Sequence, residues 1–120
     1  SKVAAEVGEK FMEPFEGHKW GSKIAFCVGQ CYYQDKEYIK RADAFDRFSK
    51  LFPSDPLTPD AMFWAGESFR MAKNNREAFV RYNKCRWDFP SSESAKYARG
   101  RLALPEMLRQ FEQAANDLDK

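Results

Sequence analysis

Between residues 22 and 90 the apolar positions recur every three or four residues, the period of a helix with one buried face. Residues 22–35 carry such a face at Ala25, Val28 and Tyr32; residues 38–52 carry one at Ala42, Phe45, Phe48 and Phe52. The pattern returns in 59–73, at Met62, Ala65 and Phe69, and in 76–89, at Ala78, Tyr82, Cys85 and Phe89. Pro53 and Pro90 each follow the last aromatic of a segment. Proline cannot continue a helix and pushes the residue before it out of helical geometry, so both segments stop there. Pro59 falls where a first helical turn accepts proline, and Asp60 suits the positive end of that helix. No stretch alternates in the manner of a strand, and the chain is expected to be all-α.

The four segments read as two copies of one unit. A shift of 37 with no gap brings Phe26 onto Phe63, Gly29 onto Gly66, Tyr32 onto Phe69 and Lys36 onto Lys73. The same shift brings Phe45 onto Tyr82 and Phe52-Pro53-Ser54 onto Phe89-Pro90-Ser91. A glycine inside a helix costs about 1 kcal/mol relative to alanine. Two at one phase therefore predict a close approach by a neighbouring helix, with Phe45 and Tyr82 as the natural occupants of the gap.

These residues resemble the tetratricopeptide repeat family. The first unit offers Val28-Gly29-x-x-Tyr32, Arg41-x-x-x-Phe45 and Pro53; the second offers Ala65-Gly66-x-x-Phe69, Ala78-x-x-x-Tyr82 and Pro90. The resemblance implies a right-handed superhelical solenoid of antiparallel helix pairs, with repeats at 22–53 and 59–90 inside a single domain spanning 1–120. Two departures are visible. Ala25 and Met62 stand where the family has an early Trp, and Arg41 stands where it has a small residue. The long Arg41 side chain is expected to turn outward, its stem along the apolar surface. The period exceeds the family's usual length of about 34, the extra residues falling after the prolines at Ser54-Asp55-Pro56 and Ser91-Ser92-Glu93. Extended Phe-Pro-Ser linkers of this sort look like the bacterial cell-envelope branch, which includes the outer-membrane assembly lipoprotein and the Tol-associated coordinator. That implies the periplasm or envelope as location, with the cytoplasm as the alternative.

The same phase organises the ends. Residues 2–15 read as the second helix of an incomplete upstream unit, with Ala4 in phase with Arg41 and Phe15 with Phe52. Residues 92–103 read as the first helix of a third unit, interrupted by Pro105. Leu104, Leu108, Phe111, Ala115 and Leu118 then form an amphipathic strip. Residues 92–118 are expected to cap the stack, with self-association through the last helix as the alternative. The start, Ser1-Lys2-Val3, has no Met and no hydrophobic leader and reads as a segment of a longer polypeptide.

Composition narrows the chemistry. With 43% apolar and 16% aromatic residues, the 120-residue chain has ample material for one core. No apolar run is long enough to span a membrane. The three cysteines, Cys27, Cys31 and Cys85, are an odd set that cannot all pair, and they are expected to act as small buried hydrophobes. His18 is the single histidine, so no metal site and no cofactor are expected. Nucleophile-elbow, P-loop and dinucleotide patterns are all missing, and Asp43/Asp46 reads as a solvated helix face, so no enzyme is expected. The net charge of +2 conceals nine Lys/Arg against three carboxylates between residues 70 and 101. That segment is either a set of solvated helix faces or a surface for an anionic polymer. No interleaved stacking motif favours nucleic acid.

For function, the resemblance implies a protein–protein interaction scaffold that takes a peptide or helix in a concave groove lined by the first helix of each unit. The groove-facing positions are Lys23, Phe26, Gln30, Tyr33 and Gln34, then Asp60, Phe63, Glu67, Arg70 and Met71. Phe26 and Phe63 have two readings, anchors for a partner or packing between repeats. Asp60 and Glu67 stand where chaperone-tail-binding members carry cations, so that partner is not expected.

Overall fold

The structure, a computed structural model, describes residues 19–34 and 37–118. Six helices follow one another: α1 (Lys19–Gln34), α2 (Tyr38–Leu51), α3 (Thr58–Met71), α4 (Asn75–Asp88), α5 (Glu93–Leu102) and α6 (Pro105–Leu118). Among the described residues there is no strand, in keeping with the absence of alternating patterning. The upstream segment 2–15 and His18 lie outside the described residues, as do the side chains of Tyr32, Tyr33 and Gln34.

The 37-residue repeat is written into the backbone as well as the side chains. Glu37 before α2 has φ −91° and ψ 76°, and Asn74 before α4 has φ −93° and ψ 77°. At the other end Phe52 has φ −129° and ψ 63°, and Phe89 has φ −134° and ψ 59°. Both phenylalanines donate their N–H four residues back, to Phe48 O and Cys85 O, so each proline follows a closed helical turn. Between α3 and α4 the chain turns through Lys73 at φ 67°, with Asn74 N–H on Phe69 O, a Schellman closure at a position where glycine is commonest.

Helix direction follows from the contacts. Thr58 at the start of α3 donates its hydroxyl to Phe52 O at the end of α2, and Arg41 near the start of α2 reaches Ser68 near the end of α3. These two helices are antiparallel. So are α3 and α4, since Cys85 Sγ lies 3.5 Å from Pro59 O while Arg70 Nε reaches the Tyr82 hydroxyl. Helix α3 is the shared centre. Ala61 and Ala65 pack into one core with Ala25, Val28, Phe45 and Phe48; Met62, Phe63 and Phe69 pack into a second with Tyr82, Cys85, Ala98 and Leu102.

The glycine expectation is met at both positions. A Cβ on Gly29 would lie 2.6 Å from Phe45 Cζ, and one on Gly66 would lie 2.7 Å from Tyr82 Cε1. Neither ring is free to retreat, because Phe45 is 2% exposed and Tyr82 is fully buried with its hydroxyl bonded to Glu67. Gly66→Ala is therefore expected to destabilise by up to about 2 kcal/mol, an overpacking cost of about 1–3 kcal/mol less about 1 kcal/mol of helix propensity. Gly100 in α5 has nothing within 4 Å of its Cβ position, and Gly100→Ala should stabilise by about 0.5–1 kcal/mol. Urea unfolding midpoints that moved in the same direction for both variants would contradict this packing.

Three expectations need correction. Arg41 does not turn outward: it is fully buried between α2 and α3, Nε bonded to Ser68 Oγ at 2.5 Å and Nη2 3.3 Å from Met71 Sδ. Its guanidinium also lies 5.6 Å from the Tyr38 ring centroid and 5.9 Å from that of Trp64. Cys27 is exposed and Cys31 half-buried, because α1 turns its Ala25/Val28 face inward; only Cys85 is buried. The second linker is not extended. Ser92 caps α5 by accepting from Ala95 N and donating to Phe89 O, so Glu93 already belongs to the helix. Ala95, Ala98 and Leu102 then take the buried positions of Met62, Ala65 and Phe69 at a shift of 33 rather than 37.

Candidate functional site

The short second linker decides how the first helices line up. Ser94 at the start of α5 donates to Asp60 at the start of α3, the Tyr97 ring sits 6.1 Å from that of Phe63, and Arg101 Nε bonds Glu67 Oε1 at 2.8 Å. These contacts run in one order along both helices, so α3 and α5 lie side by side and parallel. Sequence reasoning placed Asp60, Phe63, Glu67 and Arg70 on one face, and the structure brings all four to the α3–α5 seam. It missed the second row of Ser94, Tyr97 and Arg101. The signal for that row was present in Ser92, a helix-capping residue two positions after Pro90.

Glu67 is the hub of the seam. It is 7% exposed and accepts from the Tyr82 hydroxyl at 2.5 Å, from Arg101, and from Arg70 Nη2 at 3.3 Å on each carboxylate oxygen. Burial alone would raise its pKa. The Tyr82 and Arg101 hydrogen bonds and the Arg70 charge outweigh burial and hold the carboxyl below its ordinary value of 4.5. The Tyr82 hydroxyl is pushed well above its ordinary range, first by burial and then by its bond to the Glu67 carboxylate. Three helices are thereby tied to one carboxylate.

The other groove positions divide by exposure. Phe63 is 7% exposed, wedged among Trp64, Tyr82, Tyr97 and the Arg101 guanidinium at 5.5, 5.9, 6.1 and 5.8 Å. Phe26 is half-buried, its ring 5.3 Å from Phe45 and 5.8 Å from Phe48. Lys23, Gln30 and Met71 are exposed, as is Tyr97 at 54%. The accessible part of this face is thus polar with isolated apolar side chains, over an aromatic layer.

The basic segment is partly paired within the fold. Arg70 and Arg101 are committed to Glu67, and Arg81 on α4 to Asp46 and Glu77. Arg86 lies between Trp87 and Phe111, at 5.0 and 5.8 Å from their rings. Helix α6 packs on α4 through Phe111, whose ring meets Phe79 at 4.7 Å, and its Met107 is buried; Leu108 and Leu118 remain exposed.

Burial, and then the nearby Asp60 charge, push the Cys85 thiol up to about 11, which leaves it protonated at neutral pH. Burial first, then Asp46, raises the Asp43 carboxyl, with Arg81 opposing. Among the described residues no group of three His, Cys, Asp or Glu is placed to hold a metal ion, and no helix is long and apolar enough to cross a membrane. No family model matches the chain, and no curated protein is similar to it at a significant level.

Proposed function

We propose that the chain is a non-catalytic protein-interaction scaffold of the tetratricopeptide type. Its α1, α3 and α5 faces form a concave surface that takes an extended peptide or a helix. The observation that carries this reading is the parallel seam of α3 and α5, with Asp60–Ser94, Phe63–Tyr97 and Glu67–Arg101 in the same order. First helices stacked in parallel, separated by returning second helices, are what a solenoid needs to present one continuous face. The matched dihedrals at Glu37/Asn74 and Phe52/Phe89 add support, since the two units share turn geometry as well as packing.

In this reading Phe63 and Phe26 stiffen the wall, and Lys23, Gln30, Met71 and Tyr97 meet the partner, with Arg70 and Arg101 at its edge. Tyrosine and arginine at the centre of a rigid surface are the usual carriers of binding energy. An envelope location rests on the resemblance of one linker, Phe52-Pro53-Ser54 onward, because the second is short. Binding of an anionic polymer loses support, since three of the nine cations between residues 70 and 101 are neutralised internally.

The test is selection of peptides from a random library on the folded domain, followed by affinity measurement on variants. Met71→Asp combined with Tyr97→Ser is expected to weaken the selected peptides at least about tenfold, about 1.4 kcal/mol, with the helical circular dichroism unchanged. Equal affinity for wild type and variant would place the binding surface elsewhere.

A further inference from the structure

A cleft on the opposite side, between α2 and α4, plays no part in the concave-face reading. It is lined by Asp46, Ser49 and Lys50 of α2, by Arg81 and Lys84 of α4, and by Met62 of α3. Its volume of about 370 Å³ is at the small end of natural ligand sites, which run to about 300–1,000 Å³.

Its charges are sorted along its length. At one end Arg81 is fixed: Nη2 and Nε bind Asp46 at 2.9 and 3.1 Å, Nη1 binds Glu77 at 2.5 Å, and the guanidinium stacks on Phe69 at 4.7 Å. Asp43 lies one turn before Asp46, so this end is acidic overall. At the other end stand Lys50 and Lys84, both exposed, and among the described residues neither makes an ion pair. Lys50 in the last turn of α2 suits that helix's dipole; Lys84 precedes the last turn of α4 and has no such role. Met62, 8% exposed, lies in the lining between these ends.

We propose that this cleft binds an acidic peptide segment of a partner protein, with a carboxylate side chain between Lys50 and Lys84 and the adjacent aliphatic residue on Met62. Two compact ammonium charges on flexible stems suit a carboxylate that needs no fixed planar fork. A nucleic-acid backbone fits poorly. Its next phosphates would run onto Asp46, Asp43 and Glu77, and no aromatic ring lines the cleft to stack a base. The order of charges also sets direction, a cation or N–H donor of the peptide facing the Asp46 end.

The probe is a fluorescein-labelled peptide with a Glu-Leu-Glu-Leu core flanked by glycines, followed by anisotropy at low salt. Wild type is expected to bind saturably, and more weakly as salt screens the exposed ammoniums. Lys50→Glu with Lys84→Glu, both surface changes checked by circular dichroism, should weaken binding at least about tenfold. A Gln-Leu-Gln-Leu core should be weakened similarly, and Met71→Asp with Tyr97→Ser should change nothing. The proposal is overturned by absence of binding to wild type, or by affinities for the lysine variant within about twofold of wild type. Equal binding of the glutamine peptide also overturns it. So does loss of binding only on the concave-face variant, or tighter binding of single-stranded DNA that the lysine variant abolishes. Because the two faces carry separate variants, failure here leaves the concave-face reading standing, and the reverse holds too.

Discussion

Arg41→Ala is expected to lower stability by about 3 kcal/mol, in the range of large-to-small changes at fully buried sites. The fully buried side chain fills the space between α2 and α3, with Ser68, Met71, Trp64 and Tyr38 around it. Arg41→Met separates packing from charge. It keeps most of the stem, and Ser68 retains its own hydroxyl bond to Trp64 O at 2.6 Å, so it should cost only about 1 kcal/mol. Urea unfolding of the three proteins checks this. Equal losses for the two variants would mean that the guanidinium's hydrogen bonds, not its bulk, hold the interface.

The second large effect is at Glu67. Glu67→Ala removes the acceptor for Tyr82, Arg70 and Arg101 together and should cost about 2–3 kcal/mol, most of it from a buried tyrosine hydroxyl left without its strongest acceptor. The two arginine side chains are 28% and 40% exposed and regain water, which keeps the loss below that of a fully enclosed ion pair. The pH dependence has a definite sign. Glu67 is held below its ordinary value of 4.5, so the folded state binds its proton less readily than the unfolded chain. Its contribution is complete above about 4.5 and is lost as pH falls through the lower folded-state value. The stability gap between wild type and Glu67→Gln should hold steady from neutral pH down to about 5, then narrow in acid. A gap that widened on acidification would contradict the network.

The helices were legible because their signals are local. Phase at Ala25, Val28 and Phe45, and the stops at Pro53 and Pro90, need only a few neighbouring residues. The Gly29–Phe45 and Gly66–Tyr82 contacts were also legible, because the repeat compares two copies of one solution. Arg41 was misread because the slot that receives it is built by Ser68 and Met71, 27 and 30 residues away on the next helix. The first helix of the third unit was legible at 92–103, close to its observed bounds of Glu93–Leu102, but Ser91-Ser92-Glu93 was misread as an extended linker although Ser92 caps that helix. Tyr97 and Arg101 were not assigned to the face because their partners, Phe63 and Glu67, lie 34 residues away on α3. Cys27 followed a preference of its residue type where its helical face decides.

The most direct test of the central claim, one continuous concave surface on α1, α3 and α5, is amide chemical-shift mapping of a library-selected peptide on the labelled protein. Shifts concentrated at Lys23, Gln30, Arg70, Met71, Tyr97 and Arg101, spanning all three helices, are the predicted result. Shifts confined to α6, or to the exposed ends of single helices with the α3–α5 seam unmoved, would contradict it.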